Sequence, residues 1–339
     1  TNLINKRCLR QCLLRGRAAK VQPMKVLILG AAGQVGSEII AALEDAAVKD
    51  APPDKAGALA LDHGLQVFGA TRQSLDVTDV VSLNAAVRDL SPDWIINATA
   101  YTAVDRAESE PDLARLINAA TPGALAEICQ LVSARLLHIS TDYVFSGDGN
   151  QPFTEAHDTE PLGVYGSSKL AGETAIRSAL HEHIILRTAW VFGPQGNNFV
   201  KTMLKLAESR DEVSVVDDQV GAPTSARSIA DAIATIVIDM ACADGADDRW
   251  GTYHYSGYPY TSWAGFADEI FSAARDLGII SSPPSVRPIG TSEYPTPAVR
   301  PGNSRLDCTK INDIFGIKPD DWLTSLRPVL FALQSAERG

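Results

Sequence analysis

The chain lacks any apolar run near the ~20 residues that a helix needs to cross a bilayer, so no membrane partner is expected. It also lacks a basic surplus. Its formal net charge is -11 over 339 residues, the wrong sign for a surface that grips a phosphate backbone, which argues against a nucleic-acid partner. The five cysteines (Cys8, Cys12, Cys129, Cys242, Cys308) are odd in number and scattered. They form neither the C-x-x-C pairs of a zinc site nor the density of a disulfide framework, so a reducing, cytoplasmic setting is expected. Internal repeats and low-complexity segments are missing too. With 45% hydrophobic and 21% charged residues, the chain has the composition of a globular protein of one large or two modest domains.

Acids are absent from residues 1–23, which hold Lys6, Arg7, Arg10, Arg15, Arg17 and Lys20. An arginine-rich, acid-free opening reads as an organellar transit peptide or as sequence upstream of a start at Met24. The lack of serine favours the second, and in both readings residues 1–23 fall outside the fold. Residues 44–64, rich in Asp, Ala and Pro without a clean period, read as an inserted surface loop.

From Met24 onward, short apolar runs alternate with amphipathic stretches, the pattern of a parallel α/β sheet. The first run, Lys25–Leu29, ends in Gly30-Ala-Ala-Gly33-Gln34-Val35-Gly36, and a helix bearing Ile39, Ile40 and Leu43 follows. Strand, glycine turn and helix are the setting in which a glycine pattern becomes a nucleotide site. The glycines let a pyrophosphate approach the helix N-terminus, whose free N–H groups favour anions. The second strand, Leu65–Gly69, ends without the acid that would bond the ribose of NAD. Arg72 stands there instead and leans the choice towards NADPH over NADH, with Asp76 and Val77 next as contacts for the adenine. The third strand, Trp94 to Ala100, delivers Tyr101 and Thr102 to a loop that crosses beside the cofactor, and Pro111 opens a helix expected to run to about Val132.

The fourth strand, Leu136–Ile139, leads into Ser140-Thr141-Asp142-Tyr143-Val144-Phe145. A helix over 163–179 then carries Tyr165 and Lys169 on one face, roughly 6 Å apart at Cβ. A phenol titrates near 10 and supplies little phenolate at neutral pH. An ammonium one turn away is expected to lower that value and let the tyrosine exchange a proton with an alcohol oxygen. Thr141 would hold the reacting oxygen against it. A fifth strand, His183–Arg187, runs into Trp190, and beyond it the repeats lose regularity. The expected division is residues 24–190 as a dinucleotide-binding domain and 191–339 as mainly a substrate domain, some segments returning to the first. The fold class is thus α/β: a Rossmann-like doubly wound parallel sheet with a smaller C-terminal α/β domain.

Several segments together resemble the extended short-chain dehydrogenase/reductase superfamily and, within it, the dTDP-4-dehydrorhamnose reductase family. They are Gly30–Gly36, Asn97–Ala107, Ser140–Phe145, Tyr165–Lys169, Arg187–Val191, Gly196–Phe199, Asp218–Thr224 and Arg300–Ser304. The resemblance implies hydride transfer from NADPH to the C4 ketone of a dTDP-6-deoxy-hexulose. It gives Tyr165 the role of proton donor and has Lys169 lower its pKa and hold the nicotinamide ribose. Thr141 would polarise the carbonyl. Asp142 and Trp190 match positions that meet the sugar, and Asn198 and Arg300 match positions near the nucleotide and its diphosphate. Glu38 matches an acid that joins a magnesium site between subunits in some members; no metal is assigned to it here. A monomer or homodimer is expected. Two alternatives stay open: another sugar-nucleotide epimerase or reductase of the superfamily, and a non-catalytic subunit similar to the β subunit of methionine adenosyltransferase.

Overall fold

The computed structural model describes residues 23–49, 64–241 and 248–338. The basic opening through residue 22, residues 50–63, and Cys8, Cys12 and Cys242 lie outside the described residues. Eight strands of four or more residues are described: β1 (Met24–Leu29), β2 (Leu65–Ala70), β3 (Trp94–Asn97), β4 (Arg135–Thr141), β5 (His183–Thr188), β6 (Glu212–Val216), β7 (Gly251–His254) and β8 (Ser285–Ile289). Six of them make a parallel sheet in the order β7-β5-β4-β3-β1-β2, while β6 and β8 pair separately.

Side chains alternate across a strand, and β1 shows what that does here. Val26 and Ile28 enter one core, with Ile39 and Leu43 of α1 (Gln34–Lys49). Leu27 and Leu29 enter another, with Leu83 and Val87 of α2 (Val80–Leu90), Leu125 of α3 (Thr121–Val132) and Ile176 of α4 (Val164–Ala179). A third core joins α5 (Phe199–Ala207), α7 (Trp263–Asp276) and α8 (Trp322–Arg338) around Met203, Phe266, Ile270 and Trp322. The later third of the chain also returns to the sheet. The strand β7 pairs with β5, and Ile229, Ile233 and Val237 of α6 (Ala226–Ala241) pack beside α1.

The chain leaves β1 for β2 on one side and then crosses to β3 on the other. A reversal of this kind opens a crevice at the strands' C-terminal ends, where α/β proteins bind their ligands.

Two local expectations are corrected. Residues 44–49, read as the start of an inserted loop, continue α1 to Lys49; the stretch Glu44-Asp45-Ala46-Ala47 has no Gly or Pro and alanine is the best helix former. The helix expected from Pro111 to Val132 is interrupted by a π turn at Leu116–Ala120. Its cause is tertiary. The buried Asn118 accepts at Oδ1 from the Tyr101 N–H (2.8 Å) and donates from Nδ2 to the Tyr101 carbonyl (3.1 Å) and Ser168 hydroxyl (3.0 Å). A bulge of this sort inside an α-helix is a frequent mark of a functional region.

Candidate active site

At the end of β1, Gly30 has a φ of 84°, and a Cβ added at Gly36 would lie 2.1 Å from Gly30 O. Gly33 N–H closes the turn on Gly30 O at 2.8 Å. The turn therefore needs glycine, and it stands before the N-terminus of α1, whose first N–H groups have no helical partner. Val35 packs partly buried against the sheet. Gln34 ties this turn to the third core: Nε2 donates to Val191 O (3.2 Å) and Oε1 accepts from Asn198 Nδ2 (2.7 Å). The resemblance places Asn198 near the nucleotide, but both ends of its amide serve the fold. Nδ2 also reaches Gly193 O (2.8 Å), and Oδ1 caps α5 at Lys201 N–H (3.2 Å).

Beyond β2, Arg72 is exposed. Asp76 accepts from the Thr78 N–H (2.9 Å) and hydroxyl (2.8 Å), which hold its carboxyl below the usual range, with nearby Arg72 adding to the effect. Val77 packs against the core under β2. Ala100, Tyr101 and Thr102 follow β3, and the Tyr101 hydroxyl donates to Glu110 Oε2 (2.5 Å).

The chemical groups converge at the end of β4. Thr141 accepts from the Tyr143 N–H (3.2 Å) and donates to Asp142 Oδ1 (3.0 Å). Its side chain also acts on Tyr165, favouring the ionised form of that phenol. The helix α4 reaches this turn because Gly166 has no side chain: a Cβ there would sit 2.2 Å from Tyr143 O. Tyr165 meets the Tyr143 ring edge-on, centroids 5.5 Å apart. Burial pushes the Asp142 carboxyl up to about 6, against hydrogen bonds from Ser304, Thr141 and the backbone, and leaves Oδ2 without a partner. Lys169 is 1% exposed; Nζ lies 2.7 Å from Ile139 O and 3.1 Å from His138 Nε2.

Burial works against the expected activation of Tyr165. It pushes the phenol up to about 12, and Asp142 pushes the same way while Thr141 opposes. Burial also brings Lys169 down to about 8, with Glu173 acting against it. Both shifts have the same cause, because desolvation disfavours whichever form carries charge.

Next to this cluster, a cavity of about 540 Å³ is lined by Phe199, Met203, Gln219, Trp263, Tyr294 and Arg300 among others. Arg300 donates to Asp105 Oδ2 (2.7 Å), and its Nε has no partner. Trp190 stacks face to face on Trp263, centroids 3.6 Å apart. Its backbone φ is 48° and its ring lies against Gly221, where a Cβ would come within 2.5 Å. Glu38 sits beside Arg227 and Asp231; burial raises its carboxyl pKa, Arg227 opposes and Asp231 adds.

Residues 24–335 match the family described as the RmlD substrate binding domain. The chain belongs to that family. The dTDP-4-dehydrorhamnose reductase of Escherichia coli is 41% identical over 308 residues, covering 91% of this chain and 97% of that one. A crystal structure of a dTDP-4-dehydrorhamnose reductase from Clostridium acetobutylicum gives a TM-score of 0.79 at 36% identity, over 92% of this chain and 100% of that one. The Bacillus anthracis dTDP-4-dehydrorhamnose reductase, solved in complex with NADP, gives 0.77 at 33% identity, over 91% and 99%. The superfamily resemblance and the Rossmann-like α/β class expected from sequence are both borne out.

Within this family fold, Thr141, Asp142, Tyr165 and Lys169 share one corner, with Arg300 and Trp190 at the neighbouring cavity and Arg72 on the far side of the crevice. Four residues given no role from sequence also belong to the corner: Asn118, His138, Tyr143 and Glu173. One was visible in advance. Glu173 follows Lys169 by four residues, as Lys169 follows Tyr165, so all three form one helical stripe. Glu173 is fully buried between Arg187 Nε (2.9 Å) and Nη2 (2.7 Å), the Ser140 hydroxyl (2.6 Å) and Arg177 (3.1 Å). Burial pushes its carboxyl pKa up, and these partners together outweigh that and hold it below the usual range.

Proposed function

We propose that the chain is an NADPH-dependent reductase that converts dTDP-4-dehydro-L-rhamnose to dTDP-L-rhamnose, reducing the ketone at C4. The observation that carries this is the convergence of Thr141, Tyr165 and Lys169 at the end of β4, on the same sheet edge as the Gly30–Gly36 turn. That turn fits a dinucleotide, since the missing side chain at Gly36 lets the N-terminus of α1, with its free N–H groups, close onto the backbone of Gly30. The backbone of Gly30, Gly33, Gln34, Val35 and Gly36 would hold the diphosphate, Arg72 the 2′-phosphate, and Asp76, Val77, Ala100, Tyr101 and Thr102 the remainder of the cofactor. NADPH, when bound, supplies the hydride to the ketone carbon.

The protein's own part is to hold the ketone oxygen and to protonate it. Tyr165 carries its proton at neutral pH, so it can deliver that proton as negative charge grows on the oxygen. Thr141 would hold the substrate oxygen beside the Tyr165 hydroxyl, in a buried site where hydrogen bonds count for more than in water. Lys169 would hold the nicotinamide ribose. The cavity beside Trp190, Phe199 and Arg300 would take the nucleotide end of the substrate, with Asp142 against the sugar. An NADPH-linked reaction suits a reducing cytoplasm, as do the buried free thiols of Cys129 and Cys308.

The test is NADPH consumption with dTDP-4-dehydro-L-rhamnose and with other 4-keto sugar nucleotides. Turnover confined to the dTDP-linked hexulose is expected. A chain that binds NADPH and reduces none of them would overturn the assignment.

A further inference from the structure

Gln34 opens α1, and its backbone and side chain serve different ends. The first bond of that helix runs from the Ser37 N–H to Gly33 O (3.1 Å). The N–H groups of Gln34, Val35 and Gly36 therefore have no helical partner and suit an anion. The Gln34 side chain runs along Gly193 and Gly196. Added Cβ atoms there would lie 3.4 Å from its Cγ and 3.6 Å from its Cβ.

The amide at its end belongs to a chain of hydrogen bonds with a single polarity. The Lys201 N–H donates to Asn198 Oδ1 (3.2 Å), which fixes the Asn198 amide. Asn198 Nδ2 then donates to Gln34 Oε1 (2.7 Å) and Gly193 O (2.8 Å). That leaves Gln34 Nε2 to donate to Val191 O (3.2 Å). Flipping either amide would set donor against donor or acceptor against acceptor.

Both ends of this chain adjoin the substrate cavity. Asn198 caps α5, whose Phe199, Thr202 and Met203 line that cavity. Val191 follows Trp190, whose ring stacks on Trp263 in the cavity wall. One glutamine thus joins the dinucleotide turn to two parts of the wall that meets the other ligand.

We propose that the Gln34 side chain is a positioning residue that couples the two sites, so that cofactor and nucleotide sugar bind cooperatively. A diphosphate on the turn fixes the Gln34 backbone, and the amide carries that order to the first turn of α5 and to Trp190. The inference rests on the reductase reading, which supplies both ligands. Ordering backbone and side chain costs entropy, and the ligand that arrives second finds Gln34 already ordered. Coupling of this kind is reciprocal: each ligand tightens the other by one factor.

The test reads binding rather than turnover. Titration calorimetry gives the Kd of dTDP for the free chain and for the chain saturated with NADP+, and the reciprocal pair for NADP+. The unaltered chain should show the same factor in both directions, about tenfold, within the usual range of about 5–150-fold. Gln34→Met keeps the stem along the two glycines but loses both amide bonds, and the factor should fall below about threefold. Asn198→Ser keeps a capping oxygen for the Lys201 N–H and is too short to reach Gln34, so the factor should fall alike from the other end. The double variant should lose no more than either single one, as partners in one interaction do.

The ratio of the two constants cancels whatever a variant does to one ligand alone. A bridge that only holds the wall in shape would weaken dTDP equally with and without NADP+ and leave the factor unchanged. That result overturns the proposal, and so does a factor near one in the unaltered chain. A chain that binds NADP+ but no dTDP fails the reductase reading and takes the coupling with it. Full coupling in a chain that reduces no sugar nucleotide supports the bridge and counts against the reductase reading.

Discussion

The two walls of the crevice handle charge in opposite ways. On the β4–α4 wall, His138, Lys169 and Glu173 are buried, and each is answered by a group at hydrogen-bonding distance. On the facing wall, beyond β2, Arg72 is exposed. Desolvation sets the proton chemistry of the first wall, since a charge there has no water to fall back on. Screening limits the second, where an exposed pair contributes about 1 kcal/mol or less. Reaction and recognition are thus separated by dielectric environment, and substitutions on the two walls should differ in size and in kind.

The largest effect is expected from Tyr165→Phe, which removes the proton donor and little else. Turnover should fall by about 10²–10⁴-fold, the usual worth of a general acid, while NADPH affinity by fluorescence titration stays near that of the unaltered chain. Retained turnover would erase the distinction between the walls. Next is Arg187→Leu, which leaves the buried Glu173 charge with the Ser140 hydroxyl and the half-exposed Arg177 as its remaining partners. Breaking one side of such a pair costs about 3–5 kcal/mol, readable by urea denaturation. A loss below about 1 kcal/mol would mean that this wall is wetter than its geometry implies.

Asp142→Asn should act in the other direction. The Asp142 carboxyl rises from 3.8 to about 6 on folding, so between those values the folded chain holds a proton that the unfolded chain has released. Ionised Asp142 therefore destabilises the fold above about pH 6, by up to about 3 kcal/mol at ~1.36 kcal/mol per unit, and the cost disappears below the unfolded value. The variant should be the more stable at pH 7 and indistinguishable from the unaltered chain near pH 4. A constant difference across that range would assign the effect to packing. The smallest effect belongs to the facing wall: Arg72→Ala should weaken NADPH several-fold, about 1 kcal/mol, and leave NADH unchanged. Equal losses would remove the 2′-phosphate contact.

How much of this was legible in the sequence follows the same divide between local and distant causes. The glycine turn and the Tyr165–Lys169 spacing are local patterns, and the strands that present them were readable from short apolar runs. The π turn was not, because Asn118 makes it by bonding Tyr101, 17 residues away. The partner of Arg300, Asp105, is 195 residues away. Asn198 carried a readable helix-cap signal, being Asn before a helix, yet the family pattern drew it towards the ligand. The direction of the Tyr165 shift depends on how completely the fold excludes water, which spacing along a helix does not encode.

The placement of β7 bears on how this protein comes off the ribosome. The strand β5 is complete at Thr188, but its outer neighbour begins only at Gly251. At roughly 5–20 residues per second of synthesis, the nucleotide-binding sheet spends several seconds with an open apolar edge, the kind that recruits other chains. A fragment cut at Trp190 would keep that edge permanently. The stretch that closes the sheet is therefore also what protects the nascent chain from its neighbours.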